Sequence, residues 1–136
     1  FSGLTFDLPS GWEDITDDLP SGAPASLARA SGVGALQFSI AKYRSGDRPR
    51  VTLETLTALL QDFFDRSGGF AGPISTSTGP ITFAESISIG SGTTTLARYM
   101  SNGSDVVLAT YFAEAEGSEV DDDLTGVREI LNSIEF

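Results

Sequence analysis

The chain of 136 residues has no histidine, no cysteine and a single lysine, Lys42. Without imidazole it has no general base poised near neutral pH. Without thiols it has no thiolate nucleophile, no soft metal ligand and no disulfide. No apolar run approaches the ~20 residues of a membrane-spanning helix, so no membrane insertion is expected. Carboxylates, hydroxyls and seven arginines are what is left to do chemistry.

Hydrophobic residues make up 40% of the chain and recur at regular spacing, which predicts a globular domain rather than a disordered acidic tail. One domain spanning 1–136 is expected, because no internal repeat and no long linker interrupts the sequence. The formal net charge is −11. Such a surface repels nucleic acid and anionic membranes, since phosphate binding requires clustered Lys and Arg. It attracts a basic protein, and it also serves solubility. The first residue is Phe1, with no basic and apolar leader before it. A cytoplasmic location is expected, with a periplasmic or envelope-anchored one as the alternative if a leader has been removed.

Alternation of Leu4, Phe6 and Leu8 with polar neighbours predicts a half-buried strand over Gly3–Leu8. The acidic, turn-rich stretch Glu13 to Gly22 is expected to be a loop. Short strands are expected over Ser26–Ala30 and around Leu36, Phe38 and Ile40, then a polar loop from Arg44 to Arg50. The clearest helix begins after Thr52, a good N-cap, and carries Leu53, Leu56, Leu59, Leu60, Phe63 and Phe64 as one stripe, with Gly68 and Gly69 as its stop. Three strands follow: Ile81–Ile89, Thr94–Ser101 and Asp105–Ala113. Asn102-Gly103 predicts a type I′ turn pairing Tyr99 with Val106. A second helix is expected from about Asp122 to Asn132, with Leu124, Val127, Ile130, Leu131 and Ile134 carrying its apolar stripe. Two amphipathic helices and a mostly antiparallel sheet ending in a three-stranded meander indicate an α+β sandwich.

Glu85 breaks its local pattern, because Ile81, Phe83, Ile87 and Ile89 share its strand face. A two-residue turn at Ser91-Gly92 places Glu85 opposite Arg98 and predicts a charge-assisted cross-strand bridge. That pair is either a structural lock on the register or a polar anchor in a binding cleft. The densest charge runs from Glu114 to Asp123. Glu114, Glu116, Glu119, Asp121 and Asp122 are the candidate binding residues, as a solvated loop or as a docking site for a basic partner. Asp121-Asp122-Asp123 resembles the start of a calcium loop, but position twelve is Asn132 rather than Glu, and a helical apolar stripe runs through it. Ser39-Ile40-Ala41-Lys42 matches a serine–lysine nucleophile pattern, but a strand points the two side chains to opposite faces. No metal, cofactor or catalytic residue is expected.

Phe6-Asp7-Leu8-Pro9-Ser10-Gly11-Trp12 resembles the F-x-x-P-x-G-W opening of PsbP-like domains, a group that includes DcrB-type envelope lipoproteins, Ran-binding Mog proteins and EagR-type secretion adaptors. The similarity continues through the helix at Thr52–Ser67, the strand ending Ala109-Thr110-Tyr111-Phe112, and the close at Ile130-Leu131-Asn132-Ser133-Ile134-Glu135-Phe136. The resemblance implies a single-domain α/β/α sandwich used as a non-enzymatic binding scaffold, with Trp12 as a packing residue. The expected function is a bacterial protein-binding module, an immunity-type inhibitor or adaptor for a basic protein such as a secreted toxin. The alternative is an envelope-associated domain that binds a small molecule or supports assembly of a complex. A carboxylate-based hydrolase is the third reading.

Overall fold

A computed structural model describes residues 3–41, 46, 50–67 and 72–136. The strands are β1 (Trp12–Asp14), β2 (Ala25–Arg29), β3 (Gly34–Ala41), β4 (Ser75–Ser77), β5 (Thr82–Gly90), β6 (Thr93–Ser101) and β7 (Val106–Ala113). The helices are α1 (Leu53–Arg66) and α2 (Ser118–Asn132), with a short 3-10 turn at Thr16–Asp18. The strands form one antiparallel sheet in the order β1-β2-β3-β7-β6-β5-β4, so the fold class is α+β and β5, β6 and β7 are the expected meander. Residue contacts group the chain into two compact units. One takes the residues up to Phe38 together with Ile89–Thr95 and Ala109–Phe136, and the other takes Ser39–Ser88 and Leu96–Leu108.

In the second unit, Leu56, Leu60 and Phe64 of α1 are buried against Ala84 of β5 and Ala97 of β6. The small residues on the sheet let the helix approach, and Tyr99, Val106 and Leu108 close the cluster's edge. Each such Leu or Phe side chain contributes about 2 kcal/mol through burial. The Thr52 hydroxyl accepts the Thr55 amide at 3.3 Å, as an N-cap should. At the other end the Ser67 amide returns to the Phe63 carbonyl. The predicted stop at Gly68-Gly69 lies outside the described residues, as do Lys42 of the Ser39–Lys42 pattern and most of the Arg44–Arg50 loop.

In the first unit, register sorts side chains onto two faces. Trp12 pairs with Arg29, and Leu27 with Leu36. A Cβ on Gly34 would lie 2.6 Å from the Tyr111 ring, so Gly34 and Tyr111 share that face. α2 is bound there through Asp123, and Gly126 meets the Trp12 indole. The opposite face carries Glu13, paired with Ala28, and Gln37, paired with Ser26. By the same alternation it also carries Ala35, Thr110 and Phe112.

Four expectations are corrected. Gly3–Leu8 is not a strand. It makes one bridge, Thr5 to Glu135, Phe6 stacks on Phe38 with ring centres 5.9 Å apart, and Leu8 is 46% exposed. The stretch expected as a loop from Glu13 contains an edge strand and a 3-10 turn, because Asp14 Oδ1 accepts both the amide and the hydroxyl of Thr16, and the Ile15 amide donates to Ser26. The second helix starts at Ser118, four residues before Asp122.

The type I′ turn is at Ser91-Gly92, where both φ angles are positive (55° and 78°). At Asn102-Gly103 only the glycine has positive φ, and the Asn102 side-chain oxygen instead accepts the amides of Ser104 and Asp105.

Candidate functional site

The connector from β7 to α2 and the first turns of α2 carry the acidic side chains. Glu114, Glu116, Glu119, Asp121 and Asp122 are all exposed. The connector is tied down at two points. The Gly92 amide donates to Glu116 Oε2 at 2.7 Å, and the Thr94 hydroxyl donates to the Ala115 carbonyl at 2.9 Å. Gly117, with φ of 93°, turns the chain into α2 without a side-chain cap. Glu119 and Asp121 then occupy the first turn, where the helix dipole favours carboxylates. All five candidate acids are therefore on one short ordered stretch, Glu114 and Glu116 on the connector and Glu119, Asp121 and Asp122 in α2.

Asp123, the neighbour of these residues, behaves differently. It is completely buried. Its Oδ1 accepts Arg29 Nε at 2.7 Å. Its Oδ2 accepts the Tyr111 hydroxyl at 2.6 Å and the amides of Val33 and Gly34 at 3.0 and 3.2 Å. Burial alone pushes this carboxyl's pKa up. The Tyr111 and Arg29 hydrogen bonds and the two amides outweigh it and hold the group below the usual carboxylate range. Tyr111 is shifted upward, first by burial and then by its bond to the carboxylate. Gly32 is compatible with this cluster because a Cβ there would lie 3.0 Å from Asp123 Cγ. The residue is a hub joining α2, β7 and the β2–β3 connection. Its signal in the sequence is spacing: Val120, Asp123, Leu124 and Val127 fall on one helical face.

Glu85 and Arg98 form the predicted cross-strand pair. Arg98 Nε and Nη2 both lie 2.9 Å from Glu85 Oε1, and the residues are 7% and 3% exposed. The guanidinium also sits 3.9 Å from the centre of the Phe83 ring. This pair is enclosed, and the five exposed acids belong to a different part of the chain.

The chain matches no known protein family model and no curated protein sequence.

A cleft of about 470 Å³ is lined by Asp7, Leu8, Pro9, Glu129, Asn132 and Ser133. The Asp7 amide donates to Ser133 Oγ at 2.8 Å and fixes its rim. Two carboxylates beside apolar Leu8 and Pro9 suit a cation with a short hydrocarbon stem. Among the described residues no group of three or more acidic side chains is placed to hold a metal ion, and no helix is long and apolar enough to cross a membrane.

Proposed function

We propose that the chain is a non-catalytic, acidic protein-binding module that docks a basic protein through Glu114, Glu116, Glu119, Asp121 and Asp122. In its specific form this reading makes it a PsbP-like immunity-type inhibitor or adaptor that covers the basic surface of a secreted toxin. One observation carries the reading: five exposed carboxylates, two on a connector held by the Gly92–Glu116 and Thr94–Ala115 hydrogen bonds and three fixed in the first turns of α2. Pre-fixed charges lose less entropy on binding than those on a mobile loop and speed the encounter with a basic surface. The net charge of −11 extends the attraction beyond the contact itself.

The test is recovery of partners from the native host at low and high salt, with the parent chain beside a variant carrying Glu114→Gln, Glu116→Gln, Glu119→Gln, Asp121→Asn and Asp122→Asn. Basic proteins recovered at low salt, and lost both in high salt and with the variant, support the reading. Equal recovery by the neutralised variant refutes it.

The second reading, an envelope-associated domain that binds a small molecule, draws on the cleft beside Asp7 and Glu129. A thermal shift with small alkylammonium compounds that disappears in Asp7→Asn would favour it over the first.

A further inference from the structure

We infer that Phe112 is the apolar anchor of a docking surface for a basic protein segment, one that presents an aliphatic or aromatic side chain flanked by Lys or Arg. The inference rests on the protein-binding reading above and locates the contact on a face of the sheet. Phe112, one residue before the end of β7, is 49% exposed, although Tyr111 and Ala113 on either side of it are buried. A ring left half in water on a strand is stabilised when a partner covers its apolar surface.

The surroundings of this ring define the occupant. Register and alternation put Ala28, Ala35, Gln37 and Thr110 on its face. All four are partly exposed and none is larger than Gln37, whereas Ser26 on the same face is buried, so the accessible part of the face is the one around Phe112. Glu13 lies on the same face on edge strand β1, and Glu114 follows Phe112 two residues on, so carboxylates border the apolar centre at both ends. An aromatic centre inside a charged rim is the usual anatomy of a specific interface. The sign of the rim works against a second copy of this chain, because two bodies of charge −11 repel. A basic segment matches both parts.

The test uses a random peptide library displayed on phage and selected on the immobilised full chain at low salt. Enriched peptides should carry Lys or Arg around an aliphatic or aromatic residue. Their binding should weaken about tenfold with Phe112→Ser and with Gln37→Arg. Phe112 is half exposed, so Phe112→Ser should retain the fold, and an unchanged melting temperature verifies it. Gln37→Arg gives an independent readout by placing a like charge on the same face. Enriched basic peptides whose binding ignores both variants but falls when the Glu114–Asp122 acids are neutralised overturn the anchor and leave the protein-binding reading standing. Failure to enrich any basic peptide overturns both.

Discussion

The indole of Trp12 lies against the bare Cα of Gly126, and a methyl group there would sit 2.7 Å from the indole Cε2. In an exposed helix, Gly→Ala stabilises by about 1 kcal/mol because alanine is the better helix former. In α2 the sign reverses, since Trp12 is itself buried and cannot retreat without opening the unit. Gly126→Ala should therefore destabilise by about 1–3 kcal/mol, read as a lower urea midpoint at unchanged slope. A stabilised variant would mean the Trp12–Gly126 contact is slack.

The Asp123 hub makes stability depend on pH in a defined direction. Its pKa is lower in the folded than in the unfolded chain, where it is about 3.9. Its contribution is thus complete above about pH 4 and is lost as pH falls from there through the folded value. Asp123→Asn should cost about 3 kcal/mol at neutral pH, because it leaves Arg29 without its carboxylate and the Tyr111 hydroxyl and two amides with a poorer partner. The gap between parent and variant should close below about pH 4 in denaturation curves. At the alkaline end Tyr111 works the other way. Its raised pKa stabilises the fold below about pH 10, and that contribution disappears as pH rises from there through the folded value. Tyr111→Phe should flatten this alkaline limb.

Elements with a repeating physical signature were legible in the sequence. α1 has a cap and a continuous apolar stripe, and the meander has long apolar strands. Glu85 was conspicuous as a carboxylate in an apolar row, and a two-residue turn then pointed to Arg98. β4 was not legible, because Ser75, Thr76 and Ser77 are all exposed and show no alternation. Leu4, Phe6 and Leu8 alternate, but alternation does not make a strand here, where among the described residues the segment's bridge is Thr5 to Glu135. The start of α2 was hidden by Gly117, which supplies no side-chain cap, and by an acidic first turn that reads like solvated loop. Within three consecutive aspartates only helical phase distinguishes the buried one from its two exposed neighbours. The exposure of Phe112 was not legible, because alternation shows that a strand has two faces, not which of them is left uncovered.

The Ser91-Gly92 turn can be improved. Ser91 holds φ of 55°, a left-handed conformation that costs a residue other than Gly, Asn or Asp about 1 kcal/mol. Asn tolerates it and is the preferred first residue of a type I′ turn. Ser91→Asn should stabilise by about 0.5–1 kcal/mol, visible as a rise of a few degrees in the melting temperature. Replacing Gly92 by Ala should do the opposite, because Gly92 has φ of 78°.

Whether Glu85 and Arg98 stabilise the fold or specify its register is separable by a double-mutant cycle. Each group is buried, so removing one leaves the other charged and enclosed. Glu85→Leu or Arg98→Met alone should cost about 3–5 kcal/mol. Removing both charges together removes that penalty, and the Glu85→Leu/Arg98→Met protein should lie within about 1 kcal/mol of the parent, giving a large coupling energy. If the pair also fixes register, the double variant should keep its stability while its β5–β6 amide resonances broaden or split, because an apolar pair tolerates slippage that an ion pair does not. Single variants as stable as the parent would mean that water reaches the pair, and the lock would then have to be sought in the Ser91-Gly92 turn.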